Sequence, residues 1–118
     1  SCGGGRDRAR RKILGQLAGK TANVVIVTNE DPYDDDPQEI INEVAEGAES
    51  TGKKLNQDLY KILDRREAVK KAIMMAREND LVLITGKGAE QKMAVANGQY
   101  IDWDDRRVVR EQLLSNRD

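Results

Sequence analysis

Short apolar runs alternate with helix-patterned stretches along this chain, and that alternation constrains its fold more than any other feature. Asn23-Val-Val-Ile-Val-Thr28 is a β-branched run too short for a helix, and it reads as a buried parallel strand. Asp36, Pro37 and Glu39 then supply a helix cap, a first-turn proline and the acidic partner three residues after the cap. The helix they open carries Ile40, Ile41, Val44, Ala45 and Ala48 inward and ends near Gly52. Leu59-Tyr-Lys-Ile-Leu63 is a second short strand, and Asp64 with Glu67 caps the next helix, whose inward face is Ala68, Val69, Ala72, Ile73 and Ala76.

The same pattern continues at both ends. Arg8 to Lys20 reads as a helix with Ile13, Leu14, Leu17 and Ala18 on its inward face. Leu81-Val-Leu-Ile84 reads as a buried strand that runs into a Gly86-Lys87-Gly88 loop. A short helical stretch follows to about Ala96, Asn97-Gly98 signals a turn, and Gln99 to Trp103 forms a last strand. Asp104 caps a final helix that uses Val108, Val109, Leu113 and Leu114.

This order predicts an α/β domain, a Rossmann-like and mostly parallel sheet with helices on both faces. In such sheets ligands bind outside the carboxyl ends of the strands. Three loops fall at that edge: Cys2–Arg8, Asn29–Asp36 and Thr85–Glu90. Topology brings them together, which says more than any of them alone.

Composition excludes several classes. At 118 residues the chain has room for one domain with a modest core. Twenty basic against 21 acidic residues give a net charge of -1, so no global field recruits nucleic acid or an anionic membrane. With no histidine, His-based catalysis and the usual zinc sites are ruled out. The single cysteine, Cys2, fits a reducing compartment, and no apolar run reaches the roughly 20 residues of a membrane span. Ser1 followed by a glycine run reads as a cut end rather than a natural start.

The loops by themselves are modest signals. Gly86-Lys87-Gly88 lacks the terminal lysine-hydroxyl pair of a P-loop, and Gln91 stands where the dinucleotide fingerprint needs its third glycine. Taken alone, it reads as a plain tight turn, with Glu90 serving the helix dipole. The acids from Glu30 to Asp36 do not have EF-hand spacing and read as a solvated surface, so no metal ligands are assigned. Tyr100 and Trp103 read as covers for core edges, and without phenylalanine there is no stacking platform for single-stranded nucleic acid.

Taken together, five motifs carry a family resemblance. They are Cys2-Gly-Gly-Gly-Arg-Asp-Arg8, Val25-Ile-Val-Thr-Asn-Glu-Asp-Pro-Tyr33 with Asp36-Pro37, Ile62-Leu-Asp-Arg-Arg-Glu-Ala68, Ile84-Thr-Gly-Lys-Gly-Ala-Glu90, and Trp103-Asp-Asp-Arg106. In this order they resemble the C-terminal domain of Mur ligases, most closely the branch that extends UDP-N-acetylmuramoyl-dipeptide to a tripeptide in peptidoglycan synthesis.

The resemblance implies that residues 1–118 are the amino-acid-binding part of a three-domain cytoplasmic enzyme. ATP and Mg2+ would be bound mainly outside this chain, as would the UDP-sugar peptide. The carboxylate would be activated as an acyl phosphate and attacked by the incoming amine. By position, Arg6 would take the amino acid's carboxylate, Asp31 and Tyr33 would lie in the selectivity loop, and Gly86 and Glu90 would meet the far end of its side chain. No catalytic residue is assigned to this chain, and alone it would be inactive.

Departures from the family pattern also matter. Diaminopimelate-adding enzymes typically carry Asp-Asn-Pro-Arg where this chain has Glu30-Asp31-Pro32-Tyr33, which leaves the added amino acid open between lysine, diaminopimelate and another diamine. Ala89 replaces a usual histidine, and the first strand, expected just before the Cys2 loop, is missing. A free-standing α/β module for small anions, or a regulatory one, is the alternative reading of the same loops.

Overall fold

The computed structural model describes residues 9–29, 34–77, 79–85, 92–94 and 99–115. Helix α1 (Ala9–Thr21) precedes strand β1 (Val25–Thr28), helix α2 (Pro37–Glu49), strand β2 (Leu59–Ile62) and helix α3 (Arg65–Met75). Strands β1 and β2 are parallel, with Val25 opposite Leu59 and Thr28 opposite Ile62, so α2 is the crossover between them. Side chains alternate as a pleated strand requires: Val25 and Val27 are buried while Ile26 and Thr28 are half-buried. Val25, Val27 and Leu59 pack with Ile41, Ala45 and Ala48 of α2 to make the main core.

The expected caps form. The Asp36 carboxylate accepts from the Gln38 amide at 3.0 Å, and Asp64 accepts from the Arg66 amide at 2.9 Å. Each satisfies a main-chain donor that the helix itself leaves open. Asp64→Ala is expected to cost about 1 kcal/mol, the usual loss for a cap, read as a lower urea midpoint with an unchanged slope. Asp104 accepts from the Arg106 amide at 3.0 Å at the start of helix α4 (Asp105–Ser115). Its carboxyl is held below the ordinary carboxylate value, first by the hydrogen bond from the Arg106 side chain and also by the amides of Arg106 and Arg107.

Helix α1 keeps part of its expected inward face, with Leu14 half-buried and Ala18 packed against the core, but turns Ile13 and Leu17 outward. Its buried residues are Arg11, Gly15 and Gly19, whereas Ile13 and Leu17 are 60% and 57% exposed. The reason is how closely α2 approaches. A Cβ built on Gly15 would lie 1.9 Å from the Val44 carbonyl oxygen, and one on Gly47 would lie 2.2 Å from the Lys12 carbonyl oxygen. The two helices therefore meet main chain to main chain. Only the stripe through Gly15 and Gly19 admits that contact, so the bulky residues rotate away from it.

Two further expectations are corrected. Leu81–Thr85 forms no strand ladder; Leu81 and Leu83 are 88% and 77% exposed, and Ile84 packs against a second cluster made by Val69, Trp103 and Val108. An apolar run has strand propensity, but a ladder also needs a neighbour to share its hydrogen bonds. The stretch expected to be helical up to about Ala96 instead contains strand β3 (Lys92–Ala94). It pairs antiparallel with strand β4 (Tyr100–Asp102), Lys92 opposite Asp102 and Ala94 opposite Tyr100. A turn signal flanked by two short segments favours a hairpin over a helix. Asn97-Gly98 itself lies outside the described residues.

Candidate functional site

At the carboxyl ends of β1 and β2 the chain builds a buried polar cluster around Arg65, the first residue of α3. Its guanidinium forks onto Asp105, with Nε donating to Oδ1 and Nη2 to Oδ2, both at 2.9 Å. The Trp103 indole Nε1 donates to the same Asp105 Oδ1 at 2.6 Å. Arg65 also donates from Nη1 to the Asn29 carbonyl at 3.2 Å and from Nη2 to the Thr85 carbonyl at 3.0 Å. A cation at a helix N-terminus opposes the helix dipole, so something must hold it there. Asp105 does so, and as the first residue of α4 it sits where that dipole favours a carboxylate. The Trp103 ring lies 5.9 Å from the guanidinium carbons of both Arg65 and Arg66, within cation–π range.

A second buried arginine, Arg11 on α1, binds acids just before and within α2. Its Nη2 pairs with Asp35 at 3.0 Å and its Nη1 with Glu43 of α2 at 3.0 Å. Asp35 is thereby held by Arg11 and Asp36 caps α2, so these two acids already have work in the fold.

The sequence-predicted site residues Arg6, Asp31, Tyr33, Gly86 and Glu90 all lie outside the described residues, as does the Gly86-Lys87-Gly88 loop. What the structure does place is their flanks. Asn29, just before the 30–33 segment, and Thr85, just before the 86–90 segment, share the Arg65 guanidinium. Asp35, just after the 30–33 segment, is held by Arg11 of the helix that follows the Arg6 segment. Two buried arginines thus join the flanks of all three loops. Sequence reasoning passed over both, although Arg65 stood within one quoted motif and Asp105 within another.

Comparison with known proteins bears on what this edge serves. A model of the family described as Mur ligase, glutamate ligase domain, matches residues 1–88. This chain belongs to the Mur ligase family. A UDP-N-acetylmuramoyl-L-alanyl-D-glutamate–2,6-diaminopimelate ligase of Syntrophomonas wolfei is 42% identical over 113 residues, 95% of this chain and 22% of that protein. Its namesake in Nitrosomonas europaea is 42% identical over 112 residues, 95% of this chain and 20% of the relative. A UDP-N-acetylmuramyl-tripeptide synthetase of Roseiflexus is 40% identical over 110 residues, 93% of this chain and 21% of that one.

Among solved structures, a UDP-N-acetylmuramoyl-L-alanyl-D-glutamate–2,6-diaminopimelate ligase superposes with a TM-score of 0.79 at 32% identity, covering 98% of this chain and 23% of that one. This Mur ligase chain therefore spans about a fifth of the length of these relatives. Among its described residues, no helix is long and apolar enough to cross a membrane.

Proposed function

We propose that this chain is the amino-acid-holding, C-terminal domain of an ATP-dependent, three-domain ligase. That ligase adds a diamino acid to UDP-N-acetylmuramoyl-dipeptide in the cytoplasm, for peptidoglycan synthesis. The observation that carries this reading is the 42% identity, over 95% of the chain, to a ligase named for adding 2,6-diaminopimelate to UDP-N-acetylmuramoyl-L-alanyl-D-glutamate. The relatives compared above are all several times longer, which favours a part of a larger enzyme over a free-standing anion-binding module.

Within that reading each residue has a distinct task. Arg6 binds the α-carboxylate with its planar fork, Asp31 and Tyr33 line the selectivity loop, and Gly86 gives close backbone access. Glu90 faces the distal ammonium group of the diamino acid. Tyr33 cannot supply the positive charge that would pair with a second distal carboxylate, so a diaminopimelate held here would need that carboxylate met by another group. ATP and Mg2+ belong mainly to the other domains. Of the acids at this edge, Asp35 and Asp105 are paired with arginines and Asp36 and Asp64 cap helices.

The test uses the full-length ligase, with ADP formation followed as each amino acid is titrated. Arg6→Ala is expected to raise KM for every amino acid by about ten- to a hundredfold, the usual worth of a hydrogen bond to a charged group. Glu90→Gln is expected to raise it for lysine and diaminopimelate but not for alanine. Unchanged KM values in both variants would overturn the residue assignments. A wild-type enzyme unresponsive to any diamino acid would overturn the function.

A further inference from the structure

We propose that Leu81–Ile84 is a strap that closes reversibly onto the free edge of β1 as a third parallel strand. The inference stands on the described residues and is independent of the functional reading above. Among those residues β1 pairs only with β2. The Val25 amide donates to the Asp58 carbonyl at 3.0 Å, so the main-chain polar groups of Val25 and Val27 face β2. Successive residues in a parallel ladder turn their N–H and C=O groups to opposite edges, so those of Ile26 and Thr28 face the open side. No proline or charged residue of β1 blunts that edge.

The neighbouring segment already runs the right way. Helix α3 starts at Arg65, and its 11 residues carry the chain about 16 Å away. By Thr85 the chain has come back, because Arg65 donates to the Thr85 carbonyl as well as to the Asn29 carbonyl. Leu81–Thr85 therefore returns parallel to β1 and β2. Asn29 and Thr85 meet at one guanidinium, which sets Val25 beside Leu81 and Thr28 beside Ile84 on closing. Side-chain alternation agrees with that register. Ile84 packs against Val69 of α3 and shares the face of Ile26 and Thr28, while Val25 and Val27 meet α2 on the other. At its far end the strap leaves a turn in which Asn79 is left-handed, with φ of 72°, and Asp80 accepts from the Arg77 amide at 2.9 Å.

Leu81 and Leu83 then fall on the face of Val25 and Val27, and helix α1 supplies the other half of the contact there. Ile13 and Leu17 lie about 160° around α1 from Gly15 and Gly19, which meet α2. Since α1 leads into β1 through residues 22–24, that flank overhangs the open edge. The structure holds the open form, with all four of these apolar side chains exposed. One movement covers both pairs, and the removal of apolar surface from water drives it.

Amide hydrogen exchange of the 118-residue chain, followed residue by residue by NMR, tests the strap. A strap closed for about nine-tenths of the time slows exchange at Ile26 and Thr28 about tenfold. Leu83→Asp, at an exposed position of the open form, is expected to return those two amides to the unprotected rate. Leu81→Asp should do the same, and in both variants Val25 and Val27, which bond β2, should keep their protection. Slowing of less than about twofold in the parent chain overturns the proposal, as does slowing that either substitution leaves in place. A loss of protection shared equally by Val25 and Val27 would make the leucines part of the common core rather than of a separable strap, and overturns it too.

Discussion

Replacing Asp105 with alanine is expected to lower the unfolding free energy by about 3–5 kcal/mol, the usual cost of stranding one half of a buried ion pair. The substitution would leave the Arg65 guanidinium, 4% exposed, without its carboxylate and remove the acceptor of the Trp103 indole. Since domains of this size are stable by only about 5–15 kcal/mol, much of the total is at stake. Urea unfolding followed by circular dichroism measures it. A loss below about 1 kcal/mol would mean that the pair behaves as a solvated surface bridge. Replacing both partners with apolar residues of similar volume should recover much of the loss, because the penalty comes from the uncompensated charge. That double variant would fold without the tie between Asn29 and Thr85.

Gly47→Ala is expected to destabilise the fold by about 2–3 kcal/mol, although alanine ordinarily improves a helix by about 1 kcal/mol over glycine. The reversal of sign comes from the added methyl. It would lie 2.2 Å from the Lys12 carbonyl oxygen and 3.0 Å from the Gln16 amide nitrogen, and neither main-chain atom can swing aside as a side-chain tip would. Thermal and urea midpoints report the change. A gain in stability would show that α1 and α2 can separate at little cost. Gly52, with φ of 104° and open space around its Cβ position, is the control of the opposite kind: strain there is conformational rather than steric.

Much of this architecture is legible in the residues because local chemistry decides it. Asp36, Asp64 and Asp104 each announce a helix start through a side chain that bonds its own neighbourhood, and each does so. The runs at Val25–Thr28 and Leu59–Ile62 are strands because β-branched and apolar residues fit a pleated surface, and the helix between them supplies the crossover. Contacts decided at a distance are less visible. Ile13 and Leu17 look like a core face until α2 comes close enough at Gly15 and Gly19 to leave no room there for a side chain. Leu81–Thr85 has the composition of a strand without a ladder. At the site, the motifs around Arg65 and Trp103 could be quoted, but the 40-residue separation of Arg65 from Asp105 hid their pairing. The family resemblance named residues for the pocket, and only the folded chain revealed the two arginines that tie their flanks together.

The main-chain contact between α1 and α2 has a mechanical consequence. Helices separated by long side chains can slide, because rotamers take up the displacement, but here carbonyl oxygens stand directly against glycine backbone. At Gly15 and Gly47 no side chain lies between the helices to take up a displacement, so the pair resists sliding there. Arg11 projects from α1 to Asp35, and Asp36 forms the near end of α2. A pull on Asp35 is therefore expected to load α1 through Arg11 and α2 through the Asp36 cap together.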